Sequence, residues 1–128
     1  MKKVKNILII EDNPADQLII EMIIENAETD ANVVFASDGK EGLETISQMD
    51  QLPDIILLDI NMPRMNGHEF LEAYSAKYHA VPPVVIMLTS SSQEDDKAKT
   101  SRYACVRDYL IKPFSEEALN KLDDYIDW

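Results

Sequence analysis

The chain has 128 residues and a formal net charge of −12, from 24 acidic against 12 basic side chains. That length suits one domain with a hydrophobic core of its own, and 45% apolar with 28% charged residues is a globular composition. The acidity argues against a nucleic-acid partner, which needs a basic patch, and no apolar run approaches the ~18 residues that a membrane span requires.

Asn6 to Ile10 reads as a short apolar strand that runs straight into Glu11-Asp12-Asn13-Pro14. Asn13 is a good N-cap and Pro14 a good first helical residue. The next helix is expected to turn Leu18, Ile19, Met22 and Ile23 inward, with Ile20 and Ile24 widening the stripe, and to fade near Ala27. Asn32 to Ala36 is a second strand. Asp38-x-x-Glu41 then has the form of a capping box ahead of a narrow stripe of Leu43, Ile46 and Met49.

The third strand opens the stretch from Pro53 to Gly67, an apolar and largely branched run that ends on Asp59. Met62-Pro63 imposes an extended or turning connection. Asn66 can cap the next helix with Glu69 reaching back, so that Phe70, Leu71, Tyr74 and Tyr78 face inward. Val84 to Leu88 is the fourth strand and gives way to Thr89-Ser90-Ser91-Ser92. The helix after it, roughly from Gln93 to Tyr103, is polar almost all round and is expected to be exposed and relatively mobile. Arg107 to Ile111 is a fifth strand, ending at Lys112-Pro113. Ser115 caps a last helix with Leu119, Leu122 and Ile126 at helical spacing.

Strict alternation of strands and helices implies parallel strands with helical crossovers, hence an α/β doubly wound sheet covered on both faces. The chain stops at Trp128, right after the last helix, so a single domain over residues 1–128 is expected. In such a sheet the carboxy-terminal ends of all strands lie along one edge, where ligands bind. Glu11 and Asp12, Asp59, Thr89 and Lys112 all fall on that edge, from four separate segments. Three acids packed together repel one another, and a divalent cation relieves the repulsion. Oxygen donors without histidine or cysteine point to Mg²⁺ or a similar hard ion, which leaves positions open for phosphate oxygens. Lys112 supplies a mobile positive charge and Thr89 a hydroxyl for a tetrahedral anion. The Asp59 carboxylate can act as nucleophile and form an aspartyl-phosphate.

On these residues the sequence resembles the receiver domains of bacterial two-component response regulators. The match covers essentially the whole chain: Glu11-Asp12 after strand one, Asp59-x-x-Met62-Pro63-x-x-x-Gly67, Thr89 after strand four and Lys112-Pro113 after strand five. The resemblance implies a flavodoxin-like five-stranded sheet of order 2-1-3-4-5. It implies Asp59 as phospho-acceptor and a Mg²⁺ site made of Glu11, Asp12, Asp59 and the backbone carbonyl of Asn61. Thr89 and Lys112 would contact the phosphoryl oxygens, and Tyr109 would be the switch aromatic that turns inward when Thr89 is drawn to the phosphate. The Lys112–Pro113 peptide is expected to be cis on the same ground. Asn61 and Ser91 fall at positions that tune phosphoryl lifetime in the family.

The implied function is phosphorelay signalling by a stand-alone receiver without an output domain. Its phosphoryl donor would be a histidine kinase or histidine phosphotransfer protein, and its output a switched protein-binding surface. It would be a monomer or a phosphorylation-dependent dimer, without turnover of small substrates. Three other readings compete. A Mg²⁺-dependent phosphatase or phosphotransferase of the haloacid type carries a second acid two residues after its nucleophile, where this chain has Asn61. A flavin carrier needs a phosphate loop that Glu11-Asp12 would repel. A degenerate receiver serving as a constitutive adaptor would lack site residues that are all present here.

Several other residues have plain structural readings. His68 and His79 lack partners at metal-ligand spacing and read as surface histidines. Cys105, the only cysteine, excludes an internal disulfide, fits a reducing cytoplasm, and reads as a buried structural thiol. Trp128 reads as packing on the last helix.

Overall fold

Five short segments rich in Ile, Leu and Val pair as one parallel sheet: β1 Asn6–Ile10, β2 Asn32–Ala36, β3 Ile55–Asp59, β4 Val84–Thr89 and β5 Val106–Ile111. Their order is β2-β1-β3-β4-β5, as the resemblance implies. The computed structural model describes residues 4–27, 29–60, 65–78, 84–89, 103 and 105–125. Helices α1 (Pro14–Asn26), α2 (Gly39–Gln48), α3 (Gly67–Lys77) and α4 (Glu116–Lys121) lie within these residues, and a 3₁₀ turn (Leu122–Tyr125) continues α4. The expected helix from Gln93 to Tyr103 falls outside the described residues except for Tyr103, as do Ser90 to Ser92, His79, Ile126 and Trp128.

The pleat of each strand sends alternate side chains to opposite faces, and the sheet accordingly has two cores. On one face Ile7, Ile9, Ile55, Leu57, Ile86 and Leu88 meet Ile20 and Ile24 of α1 and Leu119 of α4. On the other, Leu8, Ile10, Ile56, Leu58, Val85 and Met87 meet Ile46 of α2 and Phe70, Leu71 and Tyr74 of α3. β3 lies between β1 and β4 and is buried along its whole length. Its continuous apolar run is what a strand covered on both faces requires.

The helix starts obey their capping residues. Asn13 Oδ1 accepts from the amides of Ala15 and Asp16 with Pro14 in the first helical position. Asp38 accepts from the Glu41 amide, and Asn66 with Glu69 forms a full reciprocal capping box.

The inward face of α1 differs from expectation. Ile20 and Ile24 are buried, whereas Leu18 is 56% exposed, Met22 52% and Ile19 39%. The sheet takes the stripe Ile20, Ile23, Ile24 and Ala27, spaced i, i+3, i+4 and i+7. The helix is apolar nearly all round, so its periodicity alone does not choose a face. β5 begins one residue before Arg107, and its pairing with β4 skips Arg107 between Val106 and Asp108. That bulge returns both Val106 and Tyr109 to the α2–α3 side. The last helix is not continuous through Leu122. It tightens to 3₁₀ there, where Asp123 accepts from the Val4 amide and Tyr125 donates to Asp108.

Candidate functional site

β1 delivers its carboxylates while still tied into the sheet. The Glu11 amide donates to the Ala36 carbonyl at 3.0 Å, Gln17 on α1 donates to the Glu11 carbonyl, and Glu11 Oε2 accepts the Asn13 amide at 3.2 Å. With backbone and one side-chain oxygen held, Glu11 has no exposed surface. Asp12, next along, is half-buried at the mouth of the site.

Asp59 is the last residue of β3 and is 6% exposed. Gly67 brings the start of α3 against the end of this strand. The Gly67 amide donates to the Ile60 carbonyl at 2.9 Å. A Cβ at Gly67 would stand 2.7 Å from the Asp59 carbonyl oxygen and 2.9 Å from Ile60 Cα. Both obstacles are backbone, so only glycine lets α3 start this close to the end of β3. Carboxylate oxygens of Glu11, Asp12 and Asp59 come within 4.8 Å of one another, and these are the acids that the sequence singles out.

Lys112 enters from β5, whose pairing with β4 extends to it through a 2.8 Å bond from its amide to the Thr89 carbonyl. The Lys112–Pro113 peptide is cis, as the resemblance implies. The ammonium lies 2.5 Å from Glu11 Oε1 and 3.4 Å from Asp59 Oδ2. Glu11 Oε1 is close enough to pair electrostatically yet receives no hydrogen bond of good geometry. A third acid, Asp16 in the first turn of α1, accepts a hydrogen bond from the same ammonium at 3.1 Å. Sequence reasoning passes over Asp16. Its signal is an acid in the first turn of a helix that starts at the reactive edge, and a first-turn acid is commonly a helix-dipole residue.

Burial pushes the Glu11 carboxyl up to about 7, and Asp59 adds to the rise while Lys112 opposes it. Burial works against the Lys112 charge, but its close pairing with Glu11, its hydrogen bond to Asp16 and the charge of Asp59 outweigh it and raise its pKa. The ammonium compensates the cluster, since three bare carboxylates at this spacing would repel one another.

The other residues singled out by the sequence are spread more widely. Thr89 ends β4, is 5% exposed and lies opposite Ile111, one residue beyond the partner of Asp59. Tyr109 is half-buried and packs against the α2–α3 core. Asn61 and the Met62-Pro63 turn lie outside the described residues. His68 is half-buried in the first turn of α3. Cys105 is buried, with Ser75 Oγ 3.9 Å from its sulfur, and burial raises its thiol pKa.

Comparison with known proteins agrees with this geometry. The family model of the response regulator receiver domain matches residues 7–122. The chain belongs to that family. Protein PilH of Pseudomonas aeruginosa is 35% identical over 117 residues, which are 90% of this chain and 91% of PilH. Chemotaxis protein CheY4 of Vibrio cholerae superposes with a TM-score of 0.79 at 27% identity, over 95% of this chain and 98% of that one. The Mn(2+)-bound form of response regulator Rcp1 superposes with a TM-score of 0.75 at 28% identity, over 92% and 88% of the two chains. Some curated relatives are longer, and the chain spans only 53% and 47% of two C4-dicarboxylate response regulators. This receiver domain has the CheY-like, flavodoxin-like fold and belongs to phosphorelay signalling, so the phosphatase reading is not favoured. Among the described residues, no helix is long and apolar enough to cross a membrane.

Proposed function

We propose that Asp59 accepts a phosphoryl group from a phosphohistidine of a sensor kinase or phosphotransfer protein. Glu11, Asp12 and Asp59, with the Asn61 carbonyl, would hold the Mg²⁺ ion that the transfer uses. One observation carries this reading: carboxylate oxygens from β3 and from the end of β1 gather within 4.8 Å, with the Lys112 ammonium 3.4 Å from Asp59. The residues fit a hard cation, for the donors are all oxygens and the buried Glu11 Oε1, paired with the Lys112 ammonium, receives no hydrogen bond of good geometry. When bound, the cation supplies positive charge to the oxygens of the transferring group.

The chain's own residues supply the rest. An Asp59 carboxylate oxygen forms the new O–P bond as the donor's P–N bond breaks, and the imidazole leaves with the electron pair and takes a proton from solvent. Lys112 balances charge on the phosphoryl oxygens, and the Thr89 hydroxyl donates to them from the end of β4. Tyr109, on the strand that carries Lys112, reports the change to the surface. The role is a switch in the cytoplasm, acting as monomer or phosphorylation-dependent dimer on a protein target, and not turnover of small phosphoesters. No output domain is needed for such a switch, which can act by docking alone.

Incubation with Mg²⁺ and acetyl phosphate, and then intact mass measurement, tests the reading. One phosphoryl group should add to the wild-type chain and none to Asp59→Asn. Modification that persists in the variant would overturn the assignment of Asp59. Release of many equivalents of phosphate per chain would favour the phosphatase reading instead.

A further inference from the structure

Lys112 has one carboxylate partner that phosphoryl transfer does not use. Its ammonium has three N–H donors and stands among Glu11 at 2.5 Å, Asp16 at 3.1 Å and Asp59 at 3.4 Å. The three acids are not equivalent. The Glu11 side chain is fully buried and that of Asp59 is 8% exposed, whereas that of Asp16 is 29% exposed. Glu11 and Asp59 belong to the carboxylate cluster, and Asp16 belongs to α1 on the outer side of the ammonium.

We propose that Asp16 is a positioning residue for Lys112, the acceptor onto which the ammonium withdraws when a divalent cation occupies the carboxylate cluster. The proposal rests on the reading of Glu11, Asp12 and Asp59 as the metal site. Lys112 and a divalent cation compete for the carboxylates of Glu11 and Asp59, and like charges at this spacing repel. A lysine with no other acceptor would have to give up its pairing with Glu11 and Asp59 with nothing to replace it. Asp16 already accepts a hydrogen bond from the ammonium. Lys112 therefore moves outward by a short swing and stays beside Asp59, where the phosphoryl group arrives. Asp16 lowers the cost of metal entry and keeps the lysine in reach.

A double-mutant cycle read by Mg²⁺ titration calorimetry on the full chain tests this, with thermal melts to verify folding. Asp16→Ala should weaken Mg²⁺ binding about threefold, the size expected for a partly exposed ion pair. Lys112→Met should strengthen it, because the competing cation is gone. In the Lys112→Met background, Asp16→Ala should change the affinity by less than about 1.5-fold, since coupled residues lose their effect when the partner is removed. Asp16→Glu, which keeps the acceptor, should restore most of the wild-type affinity. Equal losses from Asp16→Ala in both backgrounds would overturn the proposal and leave Asp16 as a general field charge. A wild-type chain that binds no Mg²⁺ would overturn the metal-site reading itself, a result the cycle distinguishes from the first.

Discussion

β3 has an aspartate at each end, and the two have opposite surroundings. Asp54, just before the strand, accepts the amides of Lys5 and Asn6 at 2.8 and 3.0 Å and so ties the start of β1 to the start of β3. Asp59, the last residue of the strand, faces two other acids and an ammonium among the described residues. The same side chain satisfies backbone donors at one end of the sheet and at the other lies in the carboxylate cluster that we propose takes the phosphoryl group. Residues of the first kind stabilise the fold, while residues of the second kind are held in place at some cost in stability.

The largest effect should come from the residue that joins Asp59 to the next helix. Gly67→Ala places a methyl against the backbone of Asp59 and Ile60, which cannot yield as a flexible side chain would. We expect a loss of about 1–3 kcal/mol in denaturant unfolding, typical of overpacking, together with slower phosphorylation. Unchanged stability would mean that α3 can start farther from β3 than the structure has it.

Substituting the two aspartates separates their roles. Asp54→Ala leaves two amides at the start of β1 without their carboxylate and should cost about 1–2 kcal/mol, while phosphorylation with acetyl phosphate proceeds at the wild-type rate. Asp59→Asn should abolish phosphorylation yet leave the metal-free stability unchanged or raised, because a repelling charge leaves the cluster. Comparable destabilisation by both variants would remove the distinction between the ends.

Glu11 gives the contrast a pH signature. Its pKa in the fold, about 7, lies above its ordinary 4.5. The protonated form is therefore favoured by folding, and this contribution is full below about pH 4.5 and is lost as pH rises to about 7. In metal-free buffer, the stability of wild type minus that of Glu11→Gln should fall across this window and level off above it. A difference that rises, or stays flat, would show that Lys112 and not burial controls Glu11.

Most of the fold is legible in the sequence because each strand is an apolar run bounded by turn formers. The caps at Asn13, Asp38, Asn66 and Ser115 mark the helix starts within one residue. The site is legible for a topological reason. Once the strands are assigned, the residues after β1, β3, β4 and β5 must share an edge. Asp16 is not legible in this way, because its contact with Lys112 spans 96 positions and depends on a helix rotation that no motif records. The bulge at Arg107 and the 3₁₀ turn at Leu122 are set by tertiary partners, Val85 and Ile86 in one case, Val4 and Asp108 in the other.

The smallest predicted effect concerns α1, where the same division recurs within one helix. Ile20 and Ile24 hold the core, Asp16 reaches the site, and Leu18 and Met22 do neither. Leu18→Gln and Met22→Gln should each change unfolding stability by less than about 0.5 kcal/mol, as exposed substitutions do. They should leave phosphorylation by acetyl phosphate intact, since that donor touches only the cluster. Because these two side chains turn outward on the helix that supplies Asp16, a rate with a protein phosphodonor is the sharper measurement. Equal rates from both donors in each variant would make this face a solvated surface only. A loss confined to the protein donor would mean that α1 lies under the donor when it reaches Asp59.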